Sequence, residues 1–187
     1  MFPPLSLTLN QLRFGFEGVA AVDDLLYVAF QREWSDAGDP DGHVRIGCYD
    51  RTAGTWGFVY YPLDAATSPN GGWVGLSELT SLGNGEFAVA ERDNQAGVDA
   101  RVKRIYGFSV AGLSFKADTD TPDFDMITKV LRSDLVLDDV YGPTGGMIPE
   151  KLEGMSVTSD GTFYLVNDND GLDDNSGETQ LLELSGL

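Results

Sequence analysis

Acidic side chains at repeated positions are the residues of this chain best suited to chemistry. Glu153-Gly154-Met155-Ser156-Val157 leads through Ser159-Asp160-Gly161 to Phe163-Tyr164-Leu165-Val166, and then to Asn167-Asp168-Asn169-Asp170. A similar run joins Glu17-Gly18-Val19-Ala20, through Asp23-Asp24, to Tyr27 and on to Gln31-Arg32-Glu33. A third joins Gly75-Leu76-Ser77-Glu78, through Gly83-Asn84-Gly85, to Phe87 and on to Glu91-Arg92-Asp93. Alignment on Tyr27, Phe87 and Tyr164 stacks Gln31, Glu91 and Asp168, then Arg32, Arg92 and Asn169, then Glu33, Asp93 and Asp170. Gly18, Gly75 and Gly154 mark the start of each copy. Carboxylates crowded on one surface repel unless protonated or bridged by a cation. Calcium, with about six to eight oxygen ligands, suits such a surface.

The elements that would position these groups are β-hairpins. Asp-Gly or Asn-Gly between alternating apolar runs is a strong hairpin signal, because glycine supplies the positive φ of the tight turn. In an antiparallel hairpin the start of the first strand lies beside the end of the second. Glu17, Glu33, Glu91, Asp93, Glu153, Asp168 and Asp170 are therefore expected at one rim. On this reading Glu17, Glu33, Asp168, Asp170, Asp173 and Asp174 hold calcium, and Glu91, Asp93 and Glu153 activate water. Arg32, Arg92 and Lys151 clamp phosphate oxygens beside them. The alternative is a set of solvated loop acids with local hydrogen bonds and surface ion pairs. The Asn167–Glu178 segment is not an EF-hand: with Gly171 at its sixth position, Val166 falls at the first and Gly177 at the last.

Repetition predicts an all-β chain built as a propeller-type array of four-stranded antiparallel blades. Blade-like units fall at approximately 12–64, 73–137 and 150–187 of one domain. A short strand is expected at Leu5–Leu9, before the first hairpin. The fourth strand of the second unit lies between Phe115 and Leu137, where the spacing of Met126, Ile127, Val130 and Leu131 also suits a short helix. The third unit has room for three strands. Known propellers close with about four to eight blades, so about three blades form an incomplete ring. The expectation is a fragment of a larger propeller, or edges covered by a second copy.

Composition narrows the partners. The 187 residues carry 30 Asp and Glu against 12 Lys and Arg, a formal charge of -18, with 42% hydrophobic residues. A folded acidic chain of this kind is unsuited to nucleic acid or to an anionic membrane surface. No apolar run approaches a membrane span, and no basic, apolar leader precedes the first strand. His43 is the single histidine and no Gly-x-Ser-x-Gly elbow exists, so a Ser-His-Asp hydrolase is disfavoured. Cys48 alternates with apolar neighbours and reads as core, and no His/Cys cluster fits zinc.

Several motifs in order resemble one family: Phe16-Glu17-Gly18, Tyr60-Tyr61-Pro62-Leu63-Asp64, Trp73-Val74-Gly75-Leu76-Ser77-Glu78, and Glu91-Arg92-Asp93-Asn94-Gln95-Ala96-Gly97 with Lys103-Arg104-Ile105-Tyr106. Pro149-Glu150-Lys151-Leu152-Glu153-Gly154 and Asn167-Asp168-Asn169-Asp170-Gly171 continue the pattern. Together, over Phe14–Leu184, they resemble the phytase-like family of bacterial proteins with esterase-like activity of phytase, and in particular its C-terminal part. The resemblance implies calcium-assisted hydrolysis of phosphate monoesters or related esters by an exported, periplasmic or extracellular protein. The competing expectations are a non-enzymatic binding module with structural calcium and an inactive fragment of a larger protein.

Overall fold

The computed structural model describes residues 14–96, 99–119, 121–136, 151–168 and 179–187. The expected Leu5–Leu9 strand lies outside them. Aromatic and β-branched residues alternating between turn residues produce eleven strands among the described residues, with a 3-10 turn at Ser35–Ala37. The first sheet is a meander of β1 (Phe16–Val22), β2 (Leu25–Phe30), β3 (His43–Asp50) and β4 (Thr55–Pro62). The second runs β5 (Val74–Gly83), β6 (Glu86–Asp93), β7 (Lys103–Ser109) and β8 (Lys129–Asp134). The third has β9 (Leu152–Val157), β10 (Phe163–Asn167) and β11 (Leu181–Leu184). All neighbouring strands pair antiparallel.

The Asp160-Gly161 turn forms as the sequence requires, with Gly161 at φ 84. The 126–131 stretch is extended. Ile127 N donates to Tyr60 O at 2.8 Å, and Tyr106 and Gly107 pair with Leu131 and Val130. Backbone partners on β4 and β7 outweigh the helical spacing of its apolar residues.

Apolar faces stack the sheets in sequence order. Tyr27, Ala29, Ile46, Val59 and Tyr61 of the first sheet pack with Leu76, Leu79, Phe87, Val89 and Tyr106 of the second. The other face of the second sheet, with Ala88, Ala90 and Ile105, packs on Leu152, Phe163 and Leu165 of the third. On the far face of the first sheet, Phe30, Trp34, Phe58 and Tyr60 are closed over by Phe124, from the connection between β7 and β8. That connection adds backbone pairing to the β4 edge at Phe58–Lys116 and Tyr60–Met126, so the edge is covered. Each fully buried aromatic contributes about 1.5–3 kcal/mol.

The first strands of successive sheets lie side by side, β1 against β5 and β5 against β9. Gly18 is required there: a Cβ would overlap Leu79 N and the Glu78 carbonyl carbon. Thr80 Oγ1 donates to Met155 O at 3.0 Å, and Ser77 Oγ donates to Leu152 O. The described residues do not close into a ring or barrel. None of their helices is long and apolar enough to cross a membrane.

Register corrects one part of the repeat. Gly18 pairs with Ala29 and Gly154 with Val166, each two residues beyond the aligned aromatic. In the second sheet that position is Val89, and its partner is Leu79, not Gly75. β5 is longer and carries its own irregularities between Leu76 and Glu78 and between Ser81 and Gly83, which displace the matching glycine.

Candidate functional site

Bulges decide which acids reach the meeting line of the first strands. Phe16 pairs with Phe30 and Gly18 with Ala29, leaving Glu17 as the extra residue of a bulge in β1. Leu152 pairs with Asn167 and Gly154 with Val166, leaving Glu153 in the same role in β9. In β5 the extra residue is Ser77, directly before Glu78. Such a residue bends its strand and re-aims the side chain. Glu17, Glu78 and Glu153, one from each sheet, consequently lie within electrostatic reach of one another.

One buried arginine meets Glu153 and acts on Glu17. Arg92, on β6, is 5% exposed, and its Nη2 donates to Glu153 Oε1. Its Nη1 reaches Asp93 O at 3.5 Å, and its buried Nε has no hydrogen-bond partner. The guanidinium stands 5.7 Å from the Trp73 ring, and Arg32 stands 5.1 Å from the same ring. Burial, with Glu153 and Glu78 adding repulsion, pushes the Glu17 carboxyl up to about 7 despite the opposing pull of Arg92. Burial also raises Glu78, whose Oε1 accepts Leu79 N at 2.8 Å, and Glu153 adds to that rise. A carboxyl titrating near neutrality beside a guanidinium can exchange protons with a bound ester or water.

The remaining acids expected at one rim separate into distinct pairings. Glu33 holds Arg32 at 3.0 Å, and although burial favours its neutral form, Arg32 brings its carboxyl below the usual value. Glu91 is fully buried on the opposite face of β6 from Arg92. It accepts Tyr61 Oη at 2.7 Å, Asp64 N at 2.6 Å and Lys129 Nζ at 2.8 Å. Lys129 also reaches Asp64 Oδ1 at 2.8 Å, and Asp64 in turn accepts Arg104 and Tyr106. Burial raises Glu91 against Lys129, and it drives the Tyr61 hydroxyl well above its ordinary value. Asp93 is closed on Lys103 at 2.9 Å and accepts backbone N–H groups of Gln95, Arg101 and Val102. Lys151 takes a left-handed φ of 40, and its carbonyl accepts Asp168 N at 2.9 Å. Asp170, Asp173 and Asp174 lie outside the described residues.

Sequence reasoning passed over Glu78, the Asp64–Lys129–Arg104 group and a buried Asp39–Arg45–Asp118 cluster. Arg45 is fully buried, pairs Asp39 at 2.7 Å and Asp118 at 2.8 Å, and lies 4.3 Å from the Trp34 ring. A signal existed for Arg45: it sits in a strand between Val44 and Ile46, where a charge needs a partner. Among the described residues, no three His, Cys, Asp or Glu side chains are grouped to hold a metal ion. His43 Nδ1 lies 2.8 Å from Asp41 O, and Cys48 is buried.

The family model described as Phytase-like, esterase-like activity of phytase, matches residues 8–171. No curated protein and no solved structure matches the chain.

Proposed function

The chain belongs to the phytase-like family, and we propose that it hydrolyses small esters, phosphate monoesters first among them, at the group formed by Glu17, Glu78, Glu153 and Arg92. The observation that carries this reading is one buried arginine paired with Glu153 and acting on Glu17, beside a Glu78 close enough to raise Glu17 further. We read the three stacked meanders as successive blades of a propeller-type array, with β1, β5 and β9 as inner strands. Chemistry at the inner strands would then draw on several blades at once.

In the proposed reaction the Arg92 guanidinium shifts from Glu153 to hold the anionic oxygen of the ester. Glu17 in its ionised form takes a proton from the attacking water. It returns that proton to the leaving oxygen as the ester bond breaks. A carboxyl near 7 has both forms populated at neutral pH. Glu153 positions Arg92, and Arg32 adds positive potential across Trp73. Glu91 and Asp93 act in this scheme by holding the strand ends through Lys129 and Lys103. Calcium is proposed at the acidic 168–174 stretch, with Glu17 kept for the proton and Glu33 for Arg32; the described carboxylates do not form an ion cage by themselves, and no step above runs through the metal.

The test is release of phosphate from phytate and from an aryl phosphate, and of phenol from an aryl acetate, by the chain and by Glu17→Gln. Loss of a positioned acid–base group costs about 100- to 10,000-fold. Turnover that survives the substitution would remove Glu17 from the reaction. A binding module is the second reading, favoured by the cation pairing of Glu33, Glu91, Asp93 and Glu153. It predicts phosphate binding without turnover.

A further inference from the structure

At the opposite end of the β9–β10 hairpin from Glu153, a cavity of about 290 Å³ opens on the seam between the second and third sheets. Leu82, Val157, Phe163 and Leu187 give it an apolar floor continuous with the core between those sheets. Its polar lining includes Arg132 of β8 and the turn residues Thr158 and Ser159. We propose that this cavity binds a small organic anion with an apolar body and a single carboxylate, held by Arg132.

Two independent features of the fold aim Arg132 there. Ile105 pairs with Ser133 and Tyr106 with Leu131, so Arg132 is the extra residue of a bulge in β8. The guanidinium lies across Gly107, where any side chain would displace it: a Cβ would sit 2.6 Å from Arg132 Nε. Bulge and glycine together lay this exposed cation along the seam.

The charge is also unusual in its setting. With 30 acidic residues in the chain, cations find partners readily. Among the described residues, each Lys and Arg other than Arg132 has one. Asp160, the nearest acid in sequence to the lining turn, is bound into that turn by Thr158 Oγ1 and Thr162 N. The cavity therefore offers an apolar floor, a hydroxyl-bearing rim and one guanidinium without a partner among the described residues, which is the complement of a short acyl or aryl carboxylate. At roughly 30 Å³ per water-sized group, its volume accommodates about ten such groups.

Octanoate matches that size and charge. Titration calorimetry of the whole chain with octanoate is expected to give binding in the millimolar range, with octyltrimethylammonium giving none. Arg132 is exposed, so Arg132→Gln is expected to leave the fold intact by circular dichroism and to weaken octanoate at least about tenfold, the worth of a charge-assisted contact. Arg132→Glu should abolish octanoate binding. Equal affinity for octanoate and octanol, affinity unchanged in Arg132→Gln, or no octanoate binding at 10 mM by the native chain would each overturn the proposal. All three would mean a solvated arginine beside an apolar dent.

Discussion

Replacing Glu17 with glutamine should stabilise the fold and stop the reaction, and the stabilisation should appear only at higher pH. Burial, the charge of Glu153 and the charge of Glu78 hold the Glu17 carboxyl at about 7 in the folded chain, against an ordinary 4.5. The native state therefore binds a proton that the unfolded state has released between those values. Stability falls as pH rises through that window and levels off above it. At about 1.4 kcal/mol per pH unit the full penalty is about 3 kcal/mol; solvent reaching a half-buried group reduces it to about 1–2 kcal/mol. Glutamine keeps the shape and carries no charge. Glu17→Gln should thus gain about 1–2 kcal/mol at pH 8, or about 2–8 °C in Tm for a chain of this size. At pH 4.5 it should match the native chain. Calorimetric scans at pH 4.5, 6 and 8, paired with the ester assays, measure both effects. A Tm difference that is the same at pH 4.5 and 8, or a variant less stable at pH 8, would refute the electrostatic account. Loss of turnover without the pH-dependent gain would separate catalysis from the proposed cause of the raised carboxyl.

Lys103→Met strands the Asp93 carboxylate in the core, where Lys103 Nζ now meets Asp93 Oδ1, Asp93 O and Gln95 O within 2.9 Å. The expected loss is about 3–5 kcal/mol, read as a Tm drop of about 6–20 °C, and a drop of under 3 °C would mean the pair is not structural. Gly18→Ala forces β1 away from Leu79 and Glu78; it should cost about 1–3 kcal/mol and lower ester turnover together with Tm, whereas native-like unfolding would show that β1 and β5 are not in contact. Calcium at about 100 times its dissociation constant should add about 2.7 kcal/mol of stability, reversed by chelator; an unchanged Tm at 10 mM calcium would leave the 168–174 acids without an ion.

The hairpins were readable because their signals are local. Asp23-Asp24, Asn84-Gly85 and Asp160-Gly161 each separate short apolar runs, and each joins paired strands. Register was less readable because a bulge adds one residue without changing composition. Gly75 matches Gly18 by type, yet it answers a different contact: a Cβ there would sit 2.5 Å from Gln31 O. The spacing of apolar residues over 126–131 was equally ambiguous, since β4 and β7, its partners, are distant in sequence.

For the acids, position in the repeat was a good guide to the strand ends and a poor guide to company. Glu91 and Arg92 are adjacent, yet alternation on β6 sends one to Lys129 and the other to Glu153. Matching columns thus describe which end of the sheet a residue occupies, while the face is set by bulges and by the packing on either side. Glu17 and Glu153 illustrate the combined effect. They are equivalent in the repeat, both are bulge residues, and both turn toward the line where first strands meet. Their environments then diverge, because Glu153 has Arg92 as an ion-pair partner while Glu17 faces Glu153, Glu78 and only the more distant field of that arginine. Two like residues in like positions thereby acquire different surroundings: one pairs with the cation, and the other is left with a carboxyl that holds its proton up to about 7.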